Sequence, residues 1–252
     1  MEIVIIGTGN TATVLGRKLA AAGHEILQVY GRDAAAASEL AYVLNTESTN
    51  YWSVVNRSAD VYLLAVSDIA IEEIVKELQL PDKTIVHTAA SVSKNVLKKA
   101  GHYGVFYPLQ SLKKSSDHLP DTPIIIDASD EETFQLLENL AGSISDKVMK
   151  GDDDKRLKLH LAAVLCNNFV NHLYTLTKEF CQKEQIDFDL LLPLIKETAL
   201  RLDEMPPAEA QTGPAIRNDR ATINSHLQLL EKYPEIKQLY SVFSASISKH
   251  HL

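Results

Sequence analysis

Residues 1–16, MEIVIIGTGNTATVLG, set an apolar strand, a glycine loop and the start of a helix in immediate succession. Ile3, Val4, Ile5 and Ile6 form the unbroken apolar run of a strand buried on both faces of a parallel sheet. Gly7 ends that run and permits a sharp turn, and Gly9 lets backbone approach a bulky anion. Ala12 takes the third small position, where helix and sheet pack closely. The resulting G-x-G-x-x-A sits in the strand–turn–helix context that a dinucleotide-binding loop requires. A pyrophosphate there meets free N–H groups at the helix N-terminus. Thr8, Asn10 and Thr11 add polar groups to the loop, which ordinary turn chemistry would also explain.

The cofactor's identity is read from the second strand, His24–Tyr30, and the Gly31-Arg32-Asp33 that follows. No acidic residue ends that strand to accept hydrogen bonds from the ribose of NAD. Arg32 offers a guanidinium to the 2′-phosphate of NADP, with Asp33 as the competing ribose contact. The expectation is NADP(H) rather than NAD(H).

The first half alternates strand and helix. Helices are expected over 11–22, 33–41, 69–78, 92–99 and 131–140, and strands over 42–46, 61–66, 84–87, 103–106, 123–126 and 143–149. From Gly151 the pattern turns helical: a polar GDDDKR, a long periodic stretch over 157–181, and further helices near 190–202, 219–232 and 234–248. The fold expected is α/β, a Rossmann domain over 1–150 followed by an all-helical domain over 151–252 for substrate binding and dimerisation. Twenty-five basic against 33 acidic residues give a net charge of −8, which opposes nucleic acid and anionic membrane surfaces. The sequence has neither the leading basic region of a signal peptide nor an apolar stretch long enough to cross a bilayer, so a cytoplasmic protein is expected. Cys166 and Cys181 read as buried structural thiols, and the nine histidines form no metal-ligand motif, so no metal is expected.

Chemistry is sought at the strand ends, because open parallel sheets bind ligands beyond their C-terminal edge. Ser67 and Asp68 follow YLLAV, and Thr88 follows TIVH; both loops are candidates for the nicotinamide side, with Asp68 equally suited to capping a helix. In FYPLQS, Tyr107 and Gln110 are placed to orient a polar substrate around the rigid Pro108, or to build a structural turn. On the long helix, His160, Asn167 and Asn171 are seven and four residues apart. Their directions fall within about 40° of one another on a regular helix. His160 is the natural acid–base group and Asn167 a polarising one, against the simpler reading of an interface stripe. Lys158 lies on the far side of that helix and reads as solvent-facing. In QTGPAIRND, Gln211, Thr212 and Arg217 are candidates for holding a substrate carboxylate or phosphate, with Asp219 capping the next helix.

GTGNTATVLG, FYPLQS, NNFVNHLY and QTGPAIRND together resemble a DUF2520-like family of NADP-binding oxidoreductases, and the likeness covers nearly the whole chain. In that family a Rossmann domain is joined to a helical domain related to the 6-phosphogluconate dehydrogenase C-terminal type. Ketopantoate reductases, pyrroline-5-carboxylate reductases and β-hydroxyacid dehydrogenases are wider relatives. The resemblance implies a nicotinamide cleft between the domains and a homodimer formed through the helices. The β-hydroxyacid group places a catalytic lysine four residues before an asparagine; here that slot holds Ala163 or Asn167, so the chain departs from that mechanism.

These features point to hydride transfer between NADP(H) and a small carbonyl, imine or hydroxy compound. His160 and Asn167 carry the chemistry, and Tyr107, Gln110, Asn171, Gln211, Thr212 and Arg217 recognise the substrate. The alternative is an NADP-binding regulatory or assembly protein without turnover.

Overall fold

The computed structural model describes residues 1–250. Its first part is built on eight strands: β1 (Glu2–Ile6), β2 (Glu25–Tyr30), β3 (Glu47–Thr49), β4 (Val61–Leu64), β5 (Thr84–His87), β6 (His102–Pro108), β7 (Ile124–Ala128) and β8 (Val148–Lys150). They lie side by side in the order β3-β2-β1-β4-β5-β6-β7-β8. All pairs are parallel except β6 with β7. Strand order reverses direction between β1 and β4, the switch point where doubly wound sheets bind ligands.

β1 shows why this is a two-faced core. Ile3 and Ile5 pack with residues of α1 (Asn10–Ala21), α2 (Ala34–Leu44) and α4 (Glu131–Gly142), whereas Val4 and Ile6 pack with α3 (Ile71–Leu78). Alternate side chains of a strand leave opposite faces, so an apolar run with no polar interruption requires helices on both.

Three local expectations are corrected. Residues 42–44 belong to α2, which runs on to Leu44 and ends at Asn45 in the left-handed conformation; the third strand is the short β3 beyond it. Its alanine-rich sequence sustains the helix past the point where Tyr42 and Val43 suggested a strand, and both side chains are exposed. Residues 92–99 hold only a 3₁₀ turn at Lys94–Leu97, too short a segment between two strands to nucleate an α-helix. The strand expected over 143–149 reduces to β8, because Ser143 closes α4 instead.

After β8 the chain is helical: α5 (Asp153–Ala163), α6 (Phe169–Lys183), α7 (Leu192–Leu200), α8 (Arg220–Leu229) and α9 (Pro234–His250). Asp152 caps α5 by accepting from the Lys155 N–H, and Asp219 caps α8 by accepting from that of Thr222. Between α5 and α6 the helical path continues through a π turn, Val164–Asn168. The chain divides into two compact units, Met1–Asn167 and Asn168–Leu252. No helix among the described residues is long and apolar enough to cross a membrane. Cys181 is buried, but Cys166 lies exposed in the π turn, contrary to its reading as a core thiol.

Candidate cofactor-binding and active site

A cavity of about 630 Å³ opens at the C-terminal ends of β1, β2 and β4. Gly7, Thr8, Gly9, Asn10, Thr11, Arg32 and Ser67 line it, together with Tyr30, Asp33, Trp52, Glu73 and Glu77. Gly7 has φ +127°, and a Cβ there would stand 2.1 Å from the Ala65 carbonyl oxygen. No other residue fits that turn. A Cβ on Gly9 would meet nothing within 4 Å, so the backbone faces open space where a phosphate group must approach. Gly9 caps α1 without a side chain, and no acidic residue sits in the first turn to neutralise the helix terminus. These residues fit a dinucleotide: a bare backbone cradle, an unneutralised helix end, and a cation at the far end of β2.

That cation is Arg32. Its neighbour Asp33 is committed to capping α2, its Oδ1 accepting from the N–H groups of Ala35 at 2.9 Å and Ala36 at 3.2 Å. Beside them Tyr30 and Trp52 stack with ring centroids 3.6 Å apart, giving the cavity a flat aromatic wall. Ala12 is fully buried against the sheet, as its packing role demands. Asp68 and Thr88 do not line this cavity. Asp68 accepts a hydrogen bond from the Ser91 hydroxyl at 2.5 Å, joining the loops after β4 and β5. The Thr88 backbone N–H donates to Leu64 at 3.2 Å, tying the same two strand ends.

A second cluster forms where β5 and β6 end and α5 passes. The Tyr107 hydroxyl and His160 Nδ1 are in hydrogen-bond contact at 3.1 Å. Burial raises the pKa of the Tyr107 phenol above its ordinary value, opposed by the positive charge of Arg156. Arg156, one helical turn before His160, is fully buried. Its Nε donates to the Ala90 carbonyl at 3.0 Å, and its Nη2 donates to the Val92 carbonyl and to Asp153 Oδ1 at 2.7 Å. Thus the helix that carries His160 is bolted to the loop that follows β5. His87, at the end of β5, is also fully buried; its Nδ1 accepts from the Ala89 N–H at 3.2 Å. Desolvation, reinforced by the Arg156 charge, lowers the His87 pKa to about 4. His87 Nε2 and Arg156 Nη1 have no hydrogen-bond partner among the described residues.

Other candidate residues are placed as follows. Gln110 is engaged at both ends of its amide: Nε2 donates to the Asp121 carbonyl at 2.8 Å and Oε1 accepts from the Ser111 N–H at 2.9 Å. Asn167 is exposed in the π turn and Asn171 is exposed on α6. A π turn holds one residue more than an α turn, so the regular-helix spacing that put Asn167 and Asn171 in line with His160 does not apply across Val164–Asn168. Lys158 is exposed and pairs with Asp154 at 2.6 Å. In the second unit Gln211 Nε2 donates to the Thr212 carbonyl at 2.9 Å, Thr212 borders an apolar cavity of about 290 Å³, and Arg217 is exposed with no ion pair among the described residues. Sequence reasoning missed Trp52, His87 and Arg156. Arg156 hid inside GDDDKR, a run that reads as solvated charge, although its place four residues before His160 puts both on one helix face.

No curated protein matches the chain in sequence. Residues 2–91 match the family described as "NADP oxidoreductase coenzyme F420-dependent", and residues 122–247, half of the chain, match the domain of unknown function DUF2520. Among solved structures, a Bacteroides fragilis protein titled "putative NADP oxidoreductase" is 40% identical, with a TM-score of 0.92 and 98% of each chain covered. A pyrroline-5-carboxylate reductase from Coxiella burnetii shares the fold at 16% identity, TM-score 0.64, again over 98% of each chain. An imine reductase from Myxococcus stipitatus, solved in complex with NADP+, shares it at 13% identity and TM-score 0.67, over 99% of this chain and 93% of its own. The strand-and-helix half and the helical half therefore belong to one shared fold. This chain is a member of the DUF2520 family, with an NADP-oxidoreductase-type Rossmann domain at its N-terminus.

Proposed function

We propose that this protein is an NADPH-dependent reductase of a small carbonyl or imine compound, able to run in reverse on the alcohol or amine. The observation that supports it most is the Tyr107–His160 contact, an acid–base pair at the same sheet edge as the dinucleotide cavity. NADPH, when bound, supplies the hydride. The chain's own residues orient the acceptor and deliver a proton. Gly7, Thr8, Gly9, Asn10 and Thr11 cradle the diphosphate, Arg32 pairs with the 2′-phosphate, and the Ser67, Asp68 and Thr88 loops border the nicotinamide.

In its protonated form His160 donates Nδ1–H to the Tyr107 hydroxyl oxygen and gives its Nε2 proton to the oxygen or nitrogen that develops negative charge, returning to neutral imidazole. Arg156 keeps the helix bearing His160 in register with the loop after β5. Asn167 is assigned to polarising the acceptor, and Gln110, Asn171, Gln211, Thr212 and Arg217 to its polar ends; the unpaired guanidinium of Arg217 suits a carboxylate. Homodimerisation through the helices and a cytoplasmic setting belong to the same reading.

The test is calorimetric titration with NADPH and NADH, followed by a turnover screen over carbonyl and imine compounds. His160→Ala should lower turnover by about a hundredfold or more while leaving NADPH affinity unchanged. NADPH binding without turnover of any compound would favour a sensing or assembly role. Absence of binding to either cofactor would overturn the reading.

A further inference from the structure

Between β6 and β7 the chain runs through residues 109–123 without regular secondary structure beyond turns. Loops of that length in a compact domain generally serve a function. This one is closed at its base: Gln110 bridges Ser111 and Asp121, and the Leu109 N–H donates to the Pro123 carbonyl at 2.8 Å. Its tip is tied to α1. Arg17 Nη1 donates to the Ser116 carbonyl at 2.9 Å and Nη2 to the Asp117 carbonyl at 3.3 Å. The Lys114 backbone N–H donates to Asn10 Oδ1 at 3.0 Å. Asn10 is the first residue of α1 and lines the cofactor cavity. Lys113 and Lys114 are both exposed, and neither ammonium group makes a hydrogen bond or ion pair among the described residues.

Two uncommitted cations therefore stand within a side chain's length of the helix terminus that receives the diphosphate. They stand outside the cavity lining, in which Arg32 is the one cation against three carboxylates among the described residues. Arg32 shares the lining with Asp33, Glu73 and Glu77, and the chain as a whole carries −8. A dinucleotide brings a doubly charged diphosphate into that field, and a helix terminus supplies only about half an elementary charge.

We propose that residues 109–123 form a fixed strap over the glycine loop, and that Lys113 and Lys114 supply the positive charge for the diphosphate of the bound cofactor. This rests on the reading of the cavity as a dinucleotide site. Arg17 and Asn10 hold the strap in place, and Gln110 acts as its clasp.

The proposal is tested by calorimetry on the full chain with NADPH, NADH and ADP-ribose at two salt concentrations. The double variant Lys113→Gln/Lys114→Gln should weaken all three by the same factor, about tenfold, and flatten the salt dependence. Arg32→Gln should weaken NADPH alone. Arg17→Met should weaken all three ligands in the same way while speeding amide exchange in residues 113–117. If the lysine variant binds all three as the native protein does, the strap is no part of the site, although the dinucleotide reading stands. If it weakens NADPH alone, the lysines belong to the 2′-phosphate and the diphosphate assignment is overturned. If the native protein binds none of the three, both readings fall together.

Discussion

Arg32 and Asp33 are adjacent in sequence and opposite in charge, and the fold gives them separate work. The Oδ1 of the carboxylate is held by the first turn of α2, and under the proposed reading the guanidinium alone meets the 2′-phosphate. Arg32→Gln should therefore cost NADPH about tenfold or more in affinity and leave NADH unchanged, as read by calorimetric titration. His87 makes a different kind of prediction. Its folded-state pKa of about 4 lies below the ordinary 6.5, so the unfolded chain takes up that proton first as the pH falls. The associated stability, roughly 3 kcal/mol, is complete above about pH 6.5 and is lost as the pH drops towards 4. Thermal melts across that window should show a steep decline for the native protein and a shallower one for His87→Gln. Equal slopes would mean that His87 is not the group being titrated.

At the level of elements, the cap of α2 is a direct target. Asp33→Ala should destabilise the protein by about 1 kcal/mol in chemical denaturation and leave NADPH binding intact, because Arg32 stays in place. What the sequence made legible divides along the same line. The strand–loop–helix at the N-terminus was readable because buried parallel strands and glycine turns leave local signatures, and the helical half because its periodicity is long. The third strand was not, since Tyr42 and Val43 resemble strand residues while the helix preceding them simply continues. Within the site, the glycine loop and Arg32 were readable by position. The Tyr107–His160 pairing joins two candidates 53 residues apart, and only the packing of α5 on β6 could join them. Trp52, His87 and Arg156 escaped for the same reason: each owes its role to burial or stacking with distant neighbours rather than to a local pattern.

On the scale of the whole molecule, apolar side chains are unevenly covered. Leu157, Leu161 and Leu165 are all more than half exposed along α5 and the π turn. In the second unit, Leu190, Leu194, Leu200, Leu202 and Leu229 are likewise exposed, while its buried core among the described residues is confined to Leu176, Cys181, Ala215 and Leu230. A helical unit with so small a core of its own needs further burial to be stable. A second copy of the chain is the occupant we propose, and sedimentation should find a dimer. Leu161→Lys combined with Leu194→Lys should shift it towards monomer and lower its melting temperature; a native protein that sediments as a monomer would refute this. The π turn has a consequence of another sort, for comparisons between relatives. A five-residue turn is what a single inserted residue leaves in a helix, so a relative with an unbroken α-helix here should be one residue shorter between His160 and Asn171. Aligned without a gap at Val164–Asn168, two such chains would equate side chains on different faces of α6, and functional residues beyond the turn would be transferred to the wrong positions.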